Sequence, residues 1–149
     1  MQRTPLKRKS TRRKPARSAL QKRKDDTAST YWRRQADAAW SAYIRDRAGG
    51  LCAICGEPGG QAHHLIGRSC KRHRHNPDNG LCLCPLHHRF DHRLSAHKAP
   101  LAFACWLAET LPEVWAWVQA HRNDYMTEKP DYKVRAEALQ PLASPEADA

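Results

Sequence analysis

Residues 51–93 read LCAICGEPGGQAHHLIGRSCKRHRHNPDNGLCLCPLHHRFDHR. Two residues separate Cys52 from Cys55, and two separate Cys84 from His87. Each short spacing lets a pair of side chains occupy two vertices of one zinc tetrahedron. We therefore predict a structural zinc bound by these four residues. Such a metal supplies folding energy to a segment that contains few large apolar side chains.

The other cysteines do not fit this ligand pattern. Cys82 lies too close to Cys84 in sequence for both to converge easily on a metal, so we interpret Cys70, Cys82 and Cys105 as small, mostly buried apolar residues. Eight of the nine histidines fall between His63 and His97, interleaved with the cysteines or close beside them. This mixture favours metal binding over disulfide bonds.

The histidines between and after the cysteine pairs suggest a second metal site. His88 and His92 are four residues apart on a predicted helix, so both rings can bind one divalent ion from the same helix face. With His63 they would form a three-ligand site that leaves coordination positions open. His64 is the candidate general base, because a neutral imidazole accepts a proton from water at physiological pH.

The remaining histidines have a simpler interpretation. His73, His75 and His97 do not fit the ligand template, and we interpret them as loop or surface residues. Each histidine taken singly could also be a solvated or DNA-contacting side chain.

The order His63-His64, Asn79, His88, embedded between Cys-x2-Cys and Cys-x2-His, resembles the HNH nucleases. The resemblance covers about 40 residues and implies a ββα-metal hairpin and helix. It also implies hydrolysis of DNA to 5′-phosphate and 3′-hydroxyl ends with one catalytic divalent metal, for which Mg²⁺, Mn²⁺, Ni²⁺ and Zn²⁺ remain open. By the same resemblance, His64, Asn79 and His88 are the catalytic residues. Asn79 would hold the hairpin loop by hydrogen bonds, although an Asn-Gly turn alone also explains it.

A narrower resemblance extends upstream over roughly 25 residues. The residues that carry it are Tyr31-Trp32, Gln35-Ala36, Ile44-Arg45, Arg47 and Cys52-x2-Cys55-Gly56. These positions are similar to phage recombination nucleases of the NinG (Rap) type. That resemblance implies a role in phage or mobile-element recombination, with branched DNA as a candidate substrate.

The positive charge is concentrated at the N-terminus. Eleven basic residues precede the first acid, whereas residues 25–149 hold fifteen bases and fifteen acids. We predict that residues 1–26 form a disordered basic arm, because they contain too few apolar groups to offset the entropy of ordering. Such an arm would bind DNA or RNA with little sequence preference and strong salt dependence. A solubility tail is the alternative.

A second basic region lies in the loop before Asn79. We expect Arg68, Lys71, Arg72 and Arg74 to contact phosphates, which would position DNA without reading its bases. Arg89 and Arg93 could clamp flanking phosphates from the predicted helix, or could simply belong to its solvent-facing surface.

Several helices are predicted around this core. A first helix spans residues 29–48, with Ser29 or Thr30 as its cap and an apolar stripe of Trp32, Ala36, Ala39 and Tyr43 that packs against the zinc region. Others run from Pro85 to about Leu94, over Leu101–Glu109 and onward from Pro112.

The resulting prediction is an α+β protein, with a zinc-stapled ββα-metal core between an N-terminal helix and C-terminal helices. Its segments are the basic arm (1–26), the N-terminal helix (27–50), the nuclease core (51–98), a helical buttress (99–126) and a flexible acidic tail (127–149). No membrane-spanning stretch or signal peptide is evident, so we expect a cytoplasmic protein, in the bacterial host if phage-encoded.

The leading hypothesis is a metal-dependent DNA endonuclease, and the sequence leaves open whether it acts as a homodimer. One alternative is a zinc module that binds nucleic acid without cutting it. Another is an accessory protein that recruits DNA to a larger complex. Retention of DNA binding but not cleavage would favour the first alternative, and a stable partner the second.

Overall fold

The computed structural model describes residues 18–140 and contains five α-helices, one turn of π-helix and a two-stranded sheet within that range. The helices are α1 (Ala19–Asp25), α2 (Thr30–Arg47), α3 (Pro100–Thr110), α4 (Pro112–His121) and α5 (Tyr132–Leu139). The strands are β1 (Gln61–His64) and β2 (Gly80–Leu83), and the π turn spans Leu86–Phe90. This mixed architecture is compatible with the predicted ββα core.

The two strands pair antiparallel and form the centre of the fold. Gln61 pairs with Leu83 and His64 pairs with Gly80, so a long loop over residues 65–79 joins the strands. Neighbouring residues of a strand point to opposite faces of the sheet. His63 and His64 are therefore directed to different sides of the hairpin.

Helix α2 covers one face of the hairpin. Ser29 caps it as expected, and its buried residues are Ala36, Trp40 and Ile44. Trp40 and Ile44 pack with Cys82 and with Leu139 of α5. Of the predicted stripe, Ala36 is buried, but it packs against Tyr132 and Ala136 of α5 and not against the zinc region. The other members, Trp32, Ala39 and Tyr43, are only partly buried.

Gly80 permits this close approach of helix and hairpin. A Cβ atom at Gly80 would lie 2.5 Å from Cζ2 of Trp40 and 2.7 Å from Cδ1 of Ile44. A larger residue would displace α2 from the hairpin. Gly80 is the first residue of β2 and has no positive φ, so it serves this packing and not an Asn-Gly turn.

The other face of the hairpin packs against α3 and α4. Phe103 of α3 contacts a cluster of Cys52, Leu83 and Cys84. A neighbouring cluster joins Ile66 to Leu107 and Val118. Helices α3 and α4 therefore pack beside Cys52 and Cys84 and against the start of the loop at Ile66.

The prediction of a flexible tail is wrong for residues 132–139, which form α5. Tyr132, Ala136 and Leu139 are buried at intervals of four and three residues, and they pack against α2. Asp131 caps the helix by accepting a hydrogen bond from the Val134 amide at 3.0 Å. Residues 141–149 of the predicted tail lie outside the described range.

The predicted basic arm also contains regular structure. Residues 19–25 form α1, capped by Ser18, and Trp32 Nε1 donates a 2.9 Å hydrogen bond to the Lys24 carbonyl. The prediction of disorder is therefore wrong for this part of the arm. Residues 1–17 lie outside the described range.

Within residues 18–140, no helix combines the length and the apolar character needed to cross a membrane.

Candidate metal centre and active site

The four predicted zinc ligands lie together. Their sulfur and nitrogen atoms are all within 4.8 Å of one another. Cys55 Sγ lies 3.9 Å from Cys84 Sγ, and His87 Nδ1 lies 3.6 Å from Cys52 Sγ and 3.3 Å from Cys84 Sγ. Zinc bonds of about 2.3 Å to sulfur and about 2.0–2.1 Å to nitrogen place tetrahedral ligands roughly 3.3–3.8 Å apart. Three thiols and one imidazole with these separations could hold a zinc ion.

The local backbone stabilises the thiolate form of Cys52, which is the form that binds metal ions. Burial opposes ionisation of this thiol, but hydrogen bonds from the backbone amides of Cys84, Cys55 and Ile54 outweigh it and lower the pKa of Cys52 to about 6. The Cys52–Cys55 turn closes with a Gly56 amide bond to the Cys52 carbonyl at 2.8 Å. Gly56 has a φ of 72°, which glycine adopts without strain.

The three cysteines outside the cluster differ in their burial. Cys82 is buried in the core, as predicted. Cys70 is half-buried, and its thiol donates to the Asp124 carbonyl at 3.2 Å. Cys105 is exposed, so its prediction as a buried residue is wrong: it lies on the outer side of α3.

Replacing Cys55 with Ser should reduce zinc content and lower the melting temperature, because ligation of this metal is coupled to folding of the hairpin. Zinc measured by mass spectrometry and unfolding followed by circular dichroism would test this. Cys105→Ser is the matched control, since it removes an exposed thiol outside the cluster. Unchanged stability in Cys55→Ser would argue against a structural zinc at this position.

A second group of possible ligands consists of His63, His88 and His97, whose ring nitrogens also lie within 4.8 Å of one another. The Nε2 atoms of His88 and His97 are 3.3 Å apart, and nitrogens that share a tetrahedral zinc are expected roughly 3.3 Å apart. Burial, followed by the neighbouring His88 and His97, lowers the pKa of His63 to about 3. The three rings fit a divalent cation with at least one open position.

Gln61 fixes the orientation of His88. Its Oε1 atom lies 2.6 Å from His88 Nδ1. An amide oxygen can only accept a hydrogen bond, so Nδ1 donates and Nε2 keeps its lone pair for the shared centre. Polar partners of this kind orient metal-binding histidines in general. Gln61 was missed in the sequence, although its place at the start of β1 is two residues from His63.

His97 occupies the place predicted for His92. The predicted helix over residues 85–94 is only the π turn, which ends at Asp91 with extended backbone, so His88 and His92 do not share a helix face. The chain then folds back, and the amide of His97 donates to the His88 carbonyl at 3.2 Å. His92 is exposed and outside the group.

His64 lies on the opposite side of the strand, against α2. Its ring stacks on Trp40, with 3.6 Å between ring centroids and 16° between planes. His64 Nε2 is 2.9 Å from the Arg74 carbonyl, which can only accept, so Nε2 carries the proton and Nδ1 keeps a lone pair. Burial, the largest effect, lowers the pKa of His64 to about 4 despite the opposing bond to Arg74.

Asn79 closes the loop between the strands. It is fully buried, and its Oδ1 accepts from the Ile66 amide at 2.6 Å. Its Nδ2 donates to the carbonyls of Ile66 and His73, each at 2.9 Å. The side chain thus joins both ends of the loop, as the sequence resemblance implied.

His73 and His75 lie in the loop between the strands, in agreement with the prediction of loop or surface residues, but both are buried. His75 Nε2 donates to Asp37 at 2.8 Å. His73 Nε2 donates to Asp124 Oδ2 at 2.8 Å, and His121 donates to the same oxygen at 2.9 Å. His73, His121 and Asp124 are close enough to share a cation, but these hydrogen bonds already satisfy the atoms concerned.

The predicted phosphate-binding residues are divided between the cavity and other surfaces. A cavity of about 480 Å³ is lined by the four histidines His63, His64, His88 and His97, and by Arg68 and Arg89. Lys71, Arg72 and Arg93 are exposed elsewhere on the surface.

Arg74 differs from the other predicted phosphate contacts. It donates two hydrogen bonds to Asp37, at 2.7 and 2.8 Å, so its side chain is not available to phosphate, contrary to prediction.

A model of the HNH endonuclease family matches residues 52–96. The segment contains the four predicted zinc ligands, the three members of the histidine group, His64 and Asn79. This part of the chain is thus similar to HNH endonucleases, and the match does not reach α2. Comparison with curated proteins and with solved structures gives no match.

Proposed function

We propose that the protein is a metal-dependent endonuclease that hydrolyses the phosphodiester bonds of DNA. The observation that carries the proposal is one cavity lined by both the three-histidine group and His64. A cation site with an open position and an oriented imidazole in the same cavity meet two needs of phosphodiester hydrolysis, which are charge neutralisation and proton removal. The family match supports the same reaction and DNA as the substrate.

His64 is the proposed general base. Because Nε2 donates to the Arg74 carbonyl, the proton of the attacking water passes to Nδ1. A divalent cation held by His63, His88 and His97 would neutralise the negative charge that develops on the phosphate and the departing oxygen. Asn79 keeps the loop that carries the Arg74 carbonyl closed, and so contributes to the position of His64.

Arg68 and Arg89 are the proposed phosphate-binding residues at the cavity. Both line it, both are exposed, and neither has an ion pair within residues 18–140. Their guanidinium groups are therefore free to bind phosphate oxygens on either side of the scissile bond. Lys71, Arg72 and Arg93 would contribute contacts further along the backbone.

The proposal is tested by incubating the full-length zinc-loaded protein with supercoiled, linear and branched DNA in the presence of Mg²⁺, Mn²⁺, Ni²⁺ or additional Zn²⁺. Cleavage that requires a divalent metal and yields 5′-phosphate and 3′-hydroxyl ends would support it. Tight DNA binding without cleavage under any of these metals would favour the non-catalytic zinc module instead.

A finer proposal is that the enzyme processes recombination intermediates of a phage or mobile element. Its support is the similarity of residues 31–56 to the NinG (Rap) type of nuclease. Preferential cleavage of four-way junctions over linear duplex of the same sequence would support it, and equal rates on both would oppose it.

Removing residues 1–17 should weaken DNA binding and flatten its salt dependence without changing the cavity. The segment holds eight basic residues and no acidic ones. Each phosphate contact contributes about −0.9 to the slope of log K against log salt concentration. If all eight basic residues contact phosphates, their removal should make this slope less negative by about seven. Binding measured over a series of salt concentrations would give the slope. An unchanged slope would indicate that residues 1–17 act as a solubility tail and do not bind DNA.

A further inference from the structure

We propose that Asp37 and Trp40 of α2 are positioning residues that hold His64 in its reactive orientation. The role in cleavage rests on the proposed function, but the restraint on His64 can be measured without it. Both residues lie outside the segment that matches the family. The proposal therefore assigns to α2 a part in the active site that the family match does not provide.

Trp40 restrains the plane of the imidazole. The stacking contact at 3.6 Å covers one face of the His64 ring. Trp40 is itself 1% exposed, and its Nε1 donates to the Asn76 carbonyl at 2.9 Å. The indole is thus fixed by the core on one side and by the loop on the other, which makes it a rigid support for His64.

Asp37 restrains the hydrogen-bond acceptor of His64. Its two carboxylate oxygens accept from Arg74 Nε and Nη2, and Oδ1 also accepts from His75 Nε2 at 2.8 Å. Arg74 Nη1 donates in addition to the Arg68 carbonyl at 3.0 Å. This network holds residues 74 and 75 against α2, and with them the carbonyl that receives the His64 Nε2 proton.

The charges around Asp37 favour its ionised form. Burial opposes ionisation, but hydrogen bonds from His75 and Arg74 outweigh it and hold the pKa of Asp37 well below its usual value. The bidentate pair with Arg74 needs both carboxylate oxygens. Asparagine at this position retains one acceptor, and its amide nitrogen cannot accept from Arg74.

The consequence for catalysis is geometric. If the Arg74 carbonyl moves or the stacking partner is lost, the His64 ring can rotate and Nδ1 no longer has one fixed position. A misplacement of about 1 Å in a reacting group can cost on the order of 10²-fold in rate. DNA binding and metal binding should be little affected, because neither residue supplies a ligand or a phosphate contact in the proposed site.

The decisive variant is Asp37→Asn in the full-length, zinc-loaded protein, with Asp46→Asn as the matched control. Asp46 lies on the same helix, is exposed and has no ion pair within the described residues. We expect Asp37→Asn to lower kcat by about 10- to 100-fold with KM and zinc content unchanged. Asp46→Asn should behave as wild type.

Nuclear magnetic resonance gives a readout that does not depend on cleavage. In the wild type, the His64 Nε2–H proton should be protected from solvent exchange, and the ring C–H signals should be shifted upfield by the Trp40 indole. The signals are assigned by their absence in His64→Ala. Asp37→Asn should lose the protected proton. A protected proton and wild-type kcat in this variant would overturn the proposal.

Trp40 is tested separately, in case Asp37→Asn fails to fold. Trp40→Leu removes the stacking face, whereas Trp40→Phe retains an aromatic face and loses the indole N–H. Phe should restore most of the kcat that Leu loses. Equal activity in both would overturn the role of Trp40. If the wild type cuts no DNA, the proposed function fails, and the His64 resonances still decide whether α2 restrains the ring.

Discussion

Replacing His64 with Ala is expected to lower the cleavage rate by about 10²–10⁴-fold, the usual cost of losing a general base. The ring is not a member of the three-histidine group, so metal content should remain at the wild-type level. DNA affinity should also be retained, because His64 contributes no charge to phosphate binding. Single-turnover cleavage of a labelled duplex would measure the chemical step directly.

His92→Ala is the matched control for His64→Ala. Both remove an imidazole from the segment that matches the family, but His92 is exposed and outside the cavity. His92→Ala should therefore cleave at close to the wild-type rate. If His64→Ala also cleaves at that rate under matched metal and salt, another group accepts the proton.

The cluster of Cys52, Cys55, Cys84 and His87 could be predicted because the spacing within each pair is a local feature of the sequence. With two residues between them, the side chains of Cys52 and Cys55 can reach one metal ion, and so can those of Cys84 and His87, independently of the rest of the fold. That the two pairs share one site follows from the hairpin, which the resemblance to the HNH nucleases implied. The four residues could therefore be grouped without knowledge of the surrounding helices.

The third histidine could not be predicted in the same way. His92 was expected at the site because a regular helix places residues four apart on one face. The actual chain leaves the helix at Asp91 and turns back through Ser95, whose hydroxyl donates to the Asp91 carbonyl at 2.6 Å. Nothing in the spacing of His88 and His97 indicates this turn, because it depends on contacts formed after folding.

Helix α5, in contrast, could have been predicted, because the sequence contains a helical pattern at this position. Tyr132, Ala136 and Leu139 have helical spacing, and Asp131 is a favourable cap. The acidic and proline-rich composition around them suggested a tail instead. A short helix of this kind gains its stability from packing, here against Ala36 and Trp40 of α2.

The burial of His73 and His75 in the loop and the pairing of Arg74 could not be predicted, because their hydrogen-bond partners are distant in sequence. His75 and Arg74 are held by Asp37, and His73 is held by Asp124. A run of alternating basic residues and histidines looks like a nucleic-acid-binding surface when these acids are ignored. Arg74 was assigned to phosphate for that reason, whereas the fold uses it to hold the loop against α2.

Replacing His97 with Ala is expected to reduce binding of the proposed catalytic metal and cleavage together. The variant removes one of three nitrogens that face the shared centre, and His88 Nε2 loses its partner at 3.3 Å. Loss of an outer partner of a metal ligand typically costs about 10–100-fold in affinity or activity, and loss of a ligand should cost at least as much. Metal per chain measured by mass spectrometry after dialysis, alongside cleavage over a range of metal concentrations, would test this.

The two candidate metal sites make this result specific. The cluster of Cys52, Cys55, Cys84 and His87 does not include His97, so zinc bound there and the melting temperature should be retained while metal at the histidine group is lost. Excess metal should partly restore cleavage if two remaining histidines still bind weakly. His92→Ala is again the control, because the sequence alone favoured it as the ligand. If His92→Ala loses the metal and His97→Ala keeps it, the assignment of His97 is wrong, and the segment after the π turn must adopt a different path when the metal binds.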